Sequence, residues 1–381
     1  MESLRQTVVQ IAGSISKDTD FNLIRFSHTV VKHLTYLFLE NGYVVMTTVG
    51  SEYNIKDSHS DSSSLVFYWD ILETTYEYAK SFPKVSRNLA IVVSSEKLES
   101  EIPFNRQAMW KELLDKHIIR VIRIKPGWNA GAYKRQIQER YSDGLVTLGG
   151  GEGTEHLISI FSSNGKLVLP LDIPLGSPFK DGIGGSPMIS RFEVSNPADF
   201  IPITSGETTN DLINLSYSRW MDDPESYSER ICSFVSKSLK IKVFYVRLMD
   251  EKATEFQSVE RFFGEVVDVV IKYLGLTAIQ IDRTRLIEPF LNIEIFKEIS
   301  HSSYLIVDLT GLRPNCFLEF GFSLGLGKTA FLTAKTGTHL PFDTNQIPCF
   351  FWDPDKLTSD TQASLISFLK RNVSRRSIKE E

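Results

Sequence analysis

The chain has 381 residues, of which 42% are hydrophobic and 23% charged, so it is long enough for two folded domains. Its formal charge of −5 and pI near 5.9 give no basic field for a phosphate backbone, which argues against general nucleic-acid binding. The three widely spaced cysteines predict neither a disulfide framework nor a metal site. No targeting segment or membrane-length apolar run stands out, so we expect a cytoplasmic protein that binds no membrane.

The first half of the chain predicts alternating strands and helices. Residues 8–16 predict a strand that runs into a small-residue turn, and a helix follows that ends at Gly42. The polar, serine-rich stretch 54–64 is typical of a surface loop or lid. Further strands are predicted at 43–50, 65–71, 88–95, 118–124, 144–148 and 166–174, and further helices at 104–117, 133–141 and after the glycines near 150.

From about 183 to 237 the composition changes to Ser, Asn, Pro and scattered charges, with a helix predicted near 226–239. We interpret this stretch as a helical linker and place a domain boundary there, giving domains at 1–237 and 238–381. The second domain again alternates strands and helices. Such alternation predicts an α/β fold of two open, mostly parallel-sheet Rossmann-like domains.

The stretch VDLTGLRPNCFLEFGFSLGLGK (307–328) carries the strongest signal of the second domain. Ligands in open α/β sheets bind at the carboxyl ends of strands, where Arg247, Asp282 and Asp308 are predicted to lie. Asn315 can cap the helix that follows the turn, and Glu319 lies close enough to the helix start for the dipole to favour its carboxylate.

The pattern DLTGLRPN, then FLEFGFSLGLGK, with PFD at 341–343, resembles the nucleoside 2-deoxyribosyltransferase-like family, which shares its α/β layout with TIR domains. The resemblance covers roughly 238–353. It implies that Glu319 attacks or stabilises the anomeric carbon as an N-glycosidic bond breaks. Substrate contacts are expected from Arg247, Asp282, Asp308, Asn315 and Asp343. Arg313 replaces an acidic residue of the enzyme family, which favours hydrolysis of a nucleotide such as NAD over transfer between bases.

The stretch GGGEGTEHL (149–157) follows a predicted strand and opens a helix, an arrangement that can cradle a phosphate. With GSIS after the first strand and VLPLDIPLGS after a later one, it resembles the SLOG superfamily over roughly 8–200. Nucleotide contacts are expected from Gly13, Ser14, Ser16, Gly149, Gly150, Gly151, Gly153 and Thr154. The related LOG phosphoribohydrolases carry PGGxGTxxE, whereas this chain has Gly149 for the proline and Leu157 for the glutamate, which favours sensing over cleavage.

SLOG-type sensors joined to TIR-like or sirtuin effectors are a bacterial antiphage arrangement. The two resemblances therefore imply a signal-activated N-glycosidase in which a nucleotide second messenger binds the first domain and the second domain hydrolyses NAD. NAD is then a substrate, and no cofactor is expected. A homo-oligomer, assembling on activation, is the expected gating device.

Two other functions fit the same residues. The chain could be a non-catalytic nucleotide-binding scaffold, or a constitutive nucleoside or nucleotide hydrolase of salvage. A purely structural interpretation of the motifs is also open, in which the aspartates and Asn315 only cap turns and helices and the glycines only allow tight turns.

Overall fold

Runs of β-branched residues that end at glycines form two parallel sheets in the computed structural model of this chain. The structure describes residues 4, 6–56, 62–83, 88–125, 127, 129–175, 214–239, 241–280 and 291–377. The first of its two units spans residues 6–239, and the second comprises 240–381 with the first five residues. Asp282 and residues 183–213 of the predicted linker lie outside the described residues.

The first unit is built on a six-stranded sheet in the order β6-β5-β2-β1-β7-β8, in which every neighbouring pair is parallel. Its strands are β1 (Val8–Ser14), β2 (Val44–Thr48), β5 (Ala90–Ser94), β6 (Ile119–Arg123), β7 (Gly144–Gly149) and β8 (Leu167–Leu171). Two short strands, β3 (Asn54–Lys56) and β4 (Ser62–Ser64), form a separate antiparallel hairpin.

Alternating side chains of these strands pack on opposite faces of the sheet. Val9 and its neighbours on one face pack with α1, whereas Val8 and Met46 on the other face pack with α5. The helices of this unit are α1 (Phe21–Glu40), α2 (Tyr68–Ser81), α3 (Glu96–Ser100), α4 (Phe104–Asp115), α5 (Ala130–Tyr141), α6 (Glu152–Ser163) and α7 (Pro224–Ser238).

Two sequence-based expectations for this unit differ from the structure. Residues 65–71 were expected to be a strand, but α2 begins at Tyr68, because a short apolar run does not distinguish a strand from a buried helix. The stretch 54–64 contains the β3–β4 hairpin instead of being loop throughout, since its polar strands lack the apolar alternation that would reveal them. Helix α7, which lies in the stretch predicted as a helical linker within the first domain, packs into the core of the first unit through Ile231 and Phe234.

The second unit is a five-stranded parallel sheet in the order β10-β9-β11-β12-β13. Its strands are β9 (Lys242–Val246), β10 (Thr277–Ile279), β11 (Tyr304–Asp308), β12 (Thr329–Lys335) and β13 (Cys349–Trp352). Its helices are α8 (Phe256–Phe262), α9 (Asp268–Tyr273), α10 (Leu291–His301), α11 (Pro314–Gly325), α12 (Phe342–Asn345) and α13 (Ser359–Ser377), with a π-helical turn at Phe263–Val267 joining α8 to α9.

Helices α8, α9 and α13 cover one face of this second sheet, and α10 and α11 cover the other. Leu4 belongs to the core under α8 and α13. The two open parallel sheets with helices on both faces confirm the predicted α/β, Rossmann-like fold class.

Candidate functional site

A cavity in the first unit lies where the strand order of the sheet reverses. Strands β2, β5 and β6 lie on one side of β1, and β7 and β8 lie on the other. Open α/β sheets bind ligands outside the carboxyl ends of strands at such a point. A cavity of about 350 Å³ is found there, lined by the ends of β1 and β2, residues 66–68, α5 and the start of α6. This volume is near the lower end of the range for small-ligand pockets.

Five of the eight residues predicted to bind a nucleotide line this cavity: Gly13, Ser14, Gly151, Gly153 and Thr154. Gly13 has φ +148°, and a Cβ there would lie 1.9 Å from the carbonyl oxygen of Leu148, so only glycine fits. A Cβ on Gly153 would meet nothing closer than the Arg135 guanidinium at 3.6 Å. Gly13 therefore shapes the cavity floor, while Gly153 marks where a side chain can be introduced.

The other three predicted residues are not among those that line the cavity. Gly149 and Gly150 have φ values of +56° and +96°, and the Gly150 N–H donates to the Ser14 carbonyl at 2.9 Å. Ser16 is buried and donates its N–H to the Leu175 carbonyl at 2.8 Å. These residues hold the turns that surround the cavity, so the structure gives them a shaping role in place of the predicted ligand contact.

Polar side chains that the sequence analysis did not single out form one wall of the cavity. Gln10 on β1 and Lys134, Arg135 and Gln138 on α5 line it. Burial lowers the pKa of Lys134, and the neighbouring charge of Arg135 lowers it further. The Nε of Arg135 donates to Nδ1 of His156 at 2.9 Å. The sequence did not reveal the three α5 residues as candidate site residues, because KRQIQER (134–140) is an ordinary amphipathic helix pattern.

No acidic residue is among the described residues that line the cavity. Leu157, which stands where the LOG-like enzymes have their glutamate, is 3% exposed and belongs to the hydrophobic core. A cationic cavity without a carboxylate suits the binding of an anion and offers no acid or base of that kind for glycosidic cleavage.

The second unit has its own point of strand-order reversal, between β9 and β11. The chain turns after β11 through Gly311 and Leu312, both with positive φ, and α11 begins at Pro314. The N-cap is Arg313, and Asn315 is already inside the helix. The expectation that Asn315 caps α11 is therefore wrong by two residues, because Pro314 fits the first helical position and brings the helix start forward.

Glu319 is half-buried in the second turn of α11, flanked along the helix by buried Cys316 and Ser323. Burial raises the pKa of Glu319 from 4.5 to about 7. The helix dipole was expected to favour the carboxylate, but its effect fades beyond the first turn, and burial dominates here. Burial, followed by the charge of Glu319, raises the pKa of Cys316 to about 12. Near neutral pH, Glu319 can thus serve as acid or as carboxylate.

Asp308 has a structural role in place of the predicted substrate contact. Its side chain is fully buried at the end of β11. Thr333 Oγ1 donates to it at 2.8 Å, Trp352 Nε1 at 2.9 Å and the Thr310 N–H at 3.1 Å. Because its oxygens already accept these bonds, the carboxylate stabilises the strand ends and is not available to a ligand.

Arg247 is also occupied within the protein, contrary to its expected role in binding a phosphate. Its guanidinium forms an ion pair with Glu260, donates to Gln280 at 3.1 Å and lies 5.0 Å from the ring centroid of Phe263. Asp343 is exposed on the short helix α12.

Arg313 is the better placed cation. It occupies the N-cap position of α11 without a side-chain capping bond. Its guanidinium lies 3.5 Å from Asp250 in a partly exposed ion pair, and its Nε has no partner among the described residues. Sequence analysis noted it only as a departure from the transferase pattern.

Among the described residues no group of His, Cys, Asp and Glu side chains is arranged to hold a metal ion. Of the described helices, none combines the length and apolar character needed to cross a membrane.

The fold defines a class of protein, the Rossmann-like α/β proteins of open parallel sheet. Within that class, the profile of one family matches residues 4–233, which is more than half of the chain, and is described as "ATP nucleosidase Cap17-like, N-terminal". The chain belongs to this family.

Two curated relatives, both named ATP nucleosidase Cap17, come from Escherichia coli strain KTE188 and from Escherichia coli. Each is 24% identical over 241 residues, a match that covers 63% of this chain and 46% of the relative. The chain thus spans about half the length of the curated relatives it matches. Two solved structures were also matched, each over 98% of this chain and 94% of its own. One is described as E. coli trehalose-6-phosphate bound with UDP-2-fluoro glucose (10% identity, TM-score 0.19) and the other as apo OtsA (11% identity, TM-score 0.21). Both are too dissimilar to support an argument.

The raised pKa of Glu319 predicts a pH-dependent stability change on mutation. Between about pH 4.5 and 7 the folded state keeps a proton that the unfolded state has released, so the wild-type free energy of unfolding falls as pH rises through this window. Glu319→Gln should match the wild type near pH 4.5 and be more stable above pH 7, by on the order of 1–2 kcal/mol after allowance for partial exposure. Thermal unfolding across this range measures it, with exposed Glu294→Gln as the control. A difference that is independent of pH would contradict the burial of the charge.

Proposed function

We propose that this chain is a nucleotide-responsive N-glycosidase of antiviral defence, in which the first unit binds a nucleotide signal and the second unit cleaves NAD. The observation that carries the proposal is the separation of chemistry between the two units. The cavity of the first unit has cations and no carboxylate, whereas α11 of the second unit presents Glu319, a half-buried carboxyl group with a pKa of about 7.

Family membership supports the nucleotide part of this proposal. The matched residues, 4–233, fall within the first unit except for residues 4 and 5, and residues 240–381 of the second unit lie beyond them. The relatives are named for cleavage of ATP, which is a nucleotide with an N-glycosidic bond. Because the matched part of this chain lacks a carboxylate in its cavity, we assign the cleavage step to the second unit.

Glu319 has the chemistry that N-glycosidic cleavage requires. The departing base leaves oxocarbenium charge on the anomeric carbon, and an adjacent carboxylate can stabilise that charge or trap the carbon covalently. Water then completes hydrolysis. A group with a pKa of about 7 is partly ionised at neutral pH, and the positively charged nicotinamide ring of NAD beside it would favour the ionised form. Arg313, beside the same helix start, is positioned to pair with a substrate phosphate.

Glu319→Gln should abolish cleavage, because the amide cannot stabilise the developing charge as a carboxylate does. Release of nicotinamide from NAD by the activated full chain should fall at least 100-fold, while thermal unfolding shows an intact fold. Glu294→Gln, an exposed change of the same kind on α10, should retain wild-type turnover. Full activity in Glu319→Gln would refute the assignment.

ATP is a second candidate substrate, favoured by the name of the curated relatives. The same assay run with ATP detects adenine in place of nicotinamide. Loss of both activities in Glu319→Gln would place either reaction at the same carboxyl group.

The first unit supplies the second test. Gly153 leaves room for a Cβ, so Gly153→Ala should bind nucleotide normally, whereas Gly153→Arg should fill the cavity and add a third positive charge beside Lys134 and Arg135. Calorimetry with adenosine and guanosine mononucleotides and cyclic dinucleotides should show binding lost in the Arg variant only. Equal affinity in both variants would exclude this cavity as the signal site.

We further propose that activation involves self-assembly through α11, whose Leu318, Leu324 and Leu326 are 57%, 38% and 45% exposed. Light scattering of the full chain should show a rise in mass with the activating nucleotide. Leu318→Arg should prevent the rise and the activation, whereas Tyr273→Arg, an equally exposed aromatic on α9, should prevent neither. Full activation at unchanged mass would rule out assembly as the switch.

A further inference from the structure

The amide of Gln10 is an unusual group to find inside a parallel sheet. Gln10 lies in the middle of β1, is 0% exposed, and lines the cavity at the point of strand-order reversal. Neither its oxygen nor its nitrogen has a hydrogen-bond partner among the residues that the structure describes. A buried amide left in this state costs about 1–3 kcal/mol, so the fold alone does not account for it.

The position of Gln10 in the sheet explains why it faces the cavity. Val8 on the same strand and Met46 on β2 point to the same face, which is packed against the apolar side of α5. Nearer the carboxyl end of the strands, the side of α5 that meets this face carries Lys134 and Gln138 in place of apolar residues. Gln10 is thus a polar group on the sheet side of the cavity, across from the polar part of α5.

The rest of the cavity is arranged for an anion. Lys134 is largely buried, and neither it nor Arg135 has an acidic partner among the described residues. Gly151 and Gly153 bring the first backbone N–H groups of α6 to the same space. A ligand that carries a phosphate at one end and a flat polar group at the other would meet the cations and the buried amide together.

We propose that Gln10 is the base-reading residue of this cavity and that it selects an adenine nucleotide. The inference rests on nucleotide binding by the first unit, as proposed above. An amide offers one donor and one acceptor side by side, and the adenine edge offers the matching N6 donor and N7 acceptor. The corresponding guanine edge presents two acceptors, which would leave the Gln10 oxygen facing O6 or N7. A cavity of about 350 Å³ holds one nucleotide and not a long oligonucleotide.

The test is equilibrium dialysis of the full chain with AMP and with GMP. The wild type should bind AMP at least about tenfold more tightly than GMP, the discrimination expected of one bidentate pair. Gln10→Met, which keeps the side-chain length without the amide, should bring the two affinities within about twofold, mainly by weakening AMP. It should also unfold at the same or a higher temperature, since it removes an unsatisfied buried group.

Two further variants separate base reading from phosphate binding. Lys134→Met should weaken AMP and GMP by similar factors and keep their ratio. Gln136→Met, an exposed change on the same helix α5, should alter neither affinity. Gly153→Arg reports any binding elsewhere in the chain, which is subtracted.

The outcomes distinguish this inference from the proposal on which it rests. Binding of AMP and GMP with equal affinity, a preference for GMP, or an unchanged ratio in Gln10→Met overturns the role of Gln10 while leaving the cavity as a nucleotide site. Binding of neither nucleotide overturns the sensing role of the first unit and this inference with it.

Discussion

The close approach of β1 and β7 at their carboxyl ends is the constraint on which the first unit's site depends. At Gly13 a Cβ would lie 1.9 Å from the Leu148 carbonyl oxygen, and at Gly149 it would lie 2.4 Å from the Ser14 carbonyl oxygen. The strands can therefore end side by side only as bare backbone. That arrangement leaves the cavity without a side chain at Gly13, and α5 supplies the cationic groups of its wall. The geometry of this crevice follows from two strands that, at Gly13 and Gly149, approach too closely for any residue but glycine.

Buried ionisable groups give the two units their different chemistry. Asp308 is fully buried, yet it accepts hydrogen bonds from Thr333, Trp352 and a backbone N–H, so this fold can satisfy a buried carboxylate where the structure needs one. Burial raises the pKa of Asp308 as well, but these hydrogen bonds oppose the shift, whereas no hydrogen bond within the described part of the chain opposes it at Lys134 or Glu319. Burial shifts the pKa of each towards its neutral form, and no opposite charge among the described residues offsets the shift. A ligand of opposite charge would recover free energy lost in this way, and for that reason we propose Lys134 and Glu319, and not Asp308, as site residues.

The sequence predicted the alternation of strands and helices, the cores on both faces and the glycine turns, because these depend on local apolar periodicity and on backbone conformations that glycine permits. It misplaced the start of α2, since LVFYWDI (65–71) is apolar and aromatic enough to fit a strand as well as a buried helix. Side-chain roles were less predictable. Arg247 was expected to be free at a strand end, but Glu260, thirteen residues later, approaches from α8 and pairs with it. Gln10 was missed because one polar residue in a β-branched run does not reveal what faces it across the sheet. Such pairings depend on tertiary contacts that periodicity does not encode.

The proposed division of labour sets a condition on how the units are coupled. A nucleotide in the first unit can activate the second only if it binds the active assembly more tightly than the resting one, and a 100-fold preference corresponds to about 2.7 kcal/mol. Under our proposal the ligand phosphate pairs with Lys134 and the base forms hydrogen bonds with Gln10. Binding therefore removes two unfavourable contributions together, the buried positive charge and the buried amide without partners. An assembly that already holds α5 and α6 as they are in the nucleotide-bound state would keep most of this binding free energy. A resting state in which these helices are loosely held would spend part of it on ordering them. Coupling of this kind requires no contact between the nucleotide and Glu319, and it allows the same sensing unit to be joined to different catalytic units.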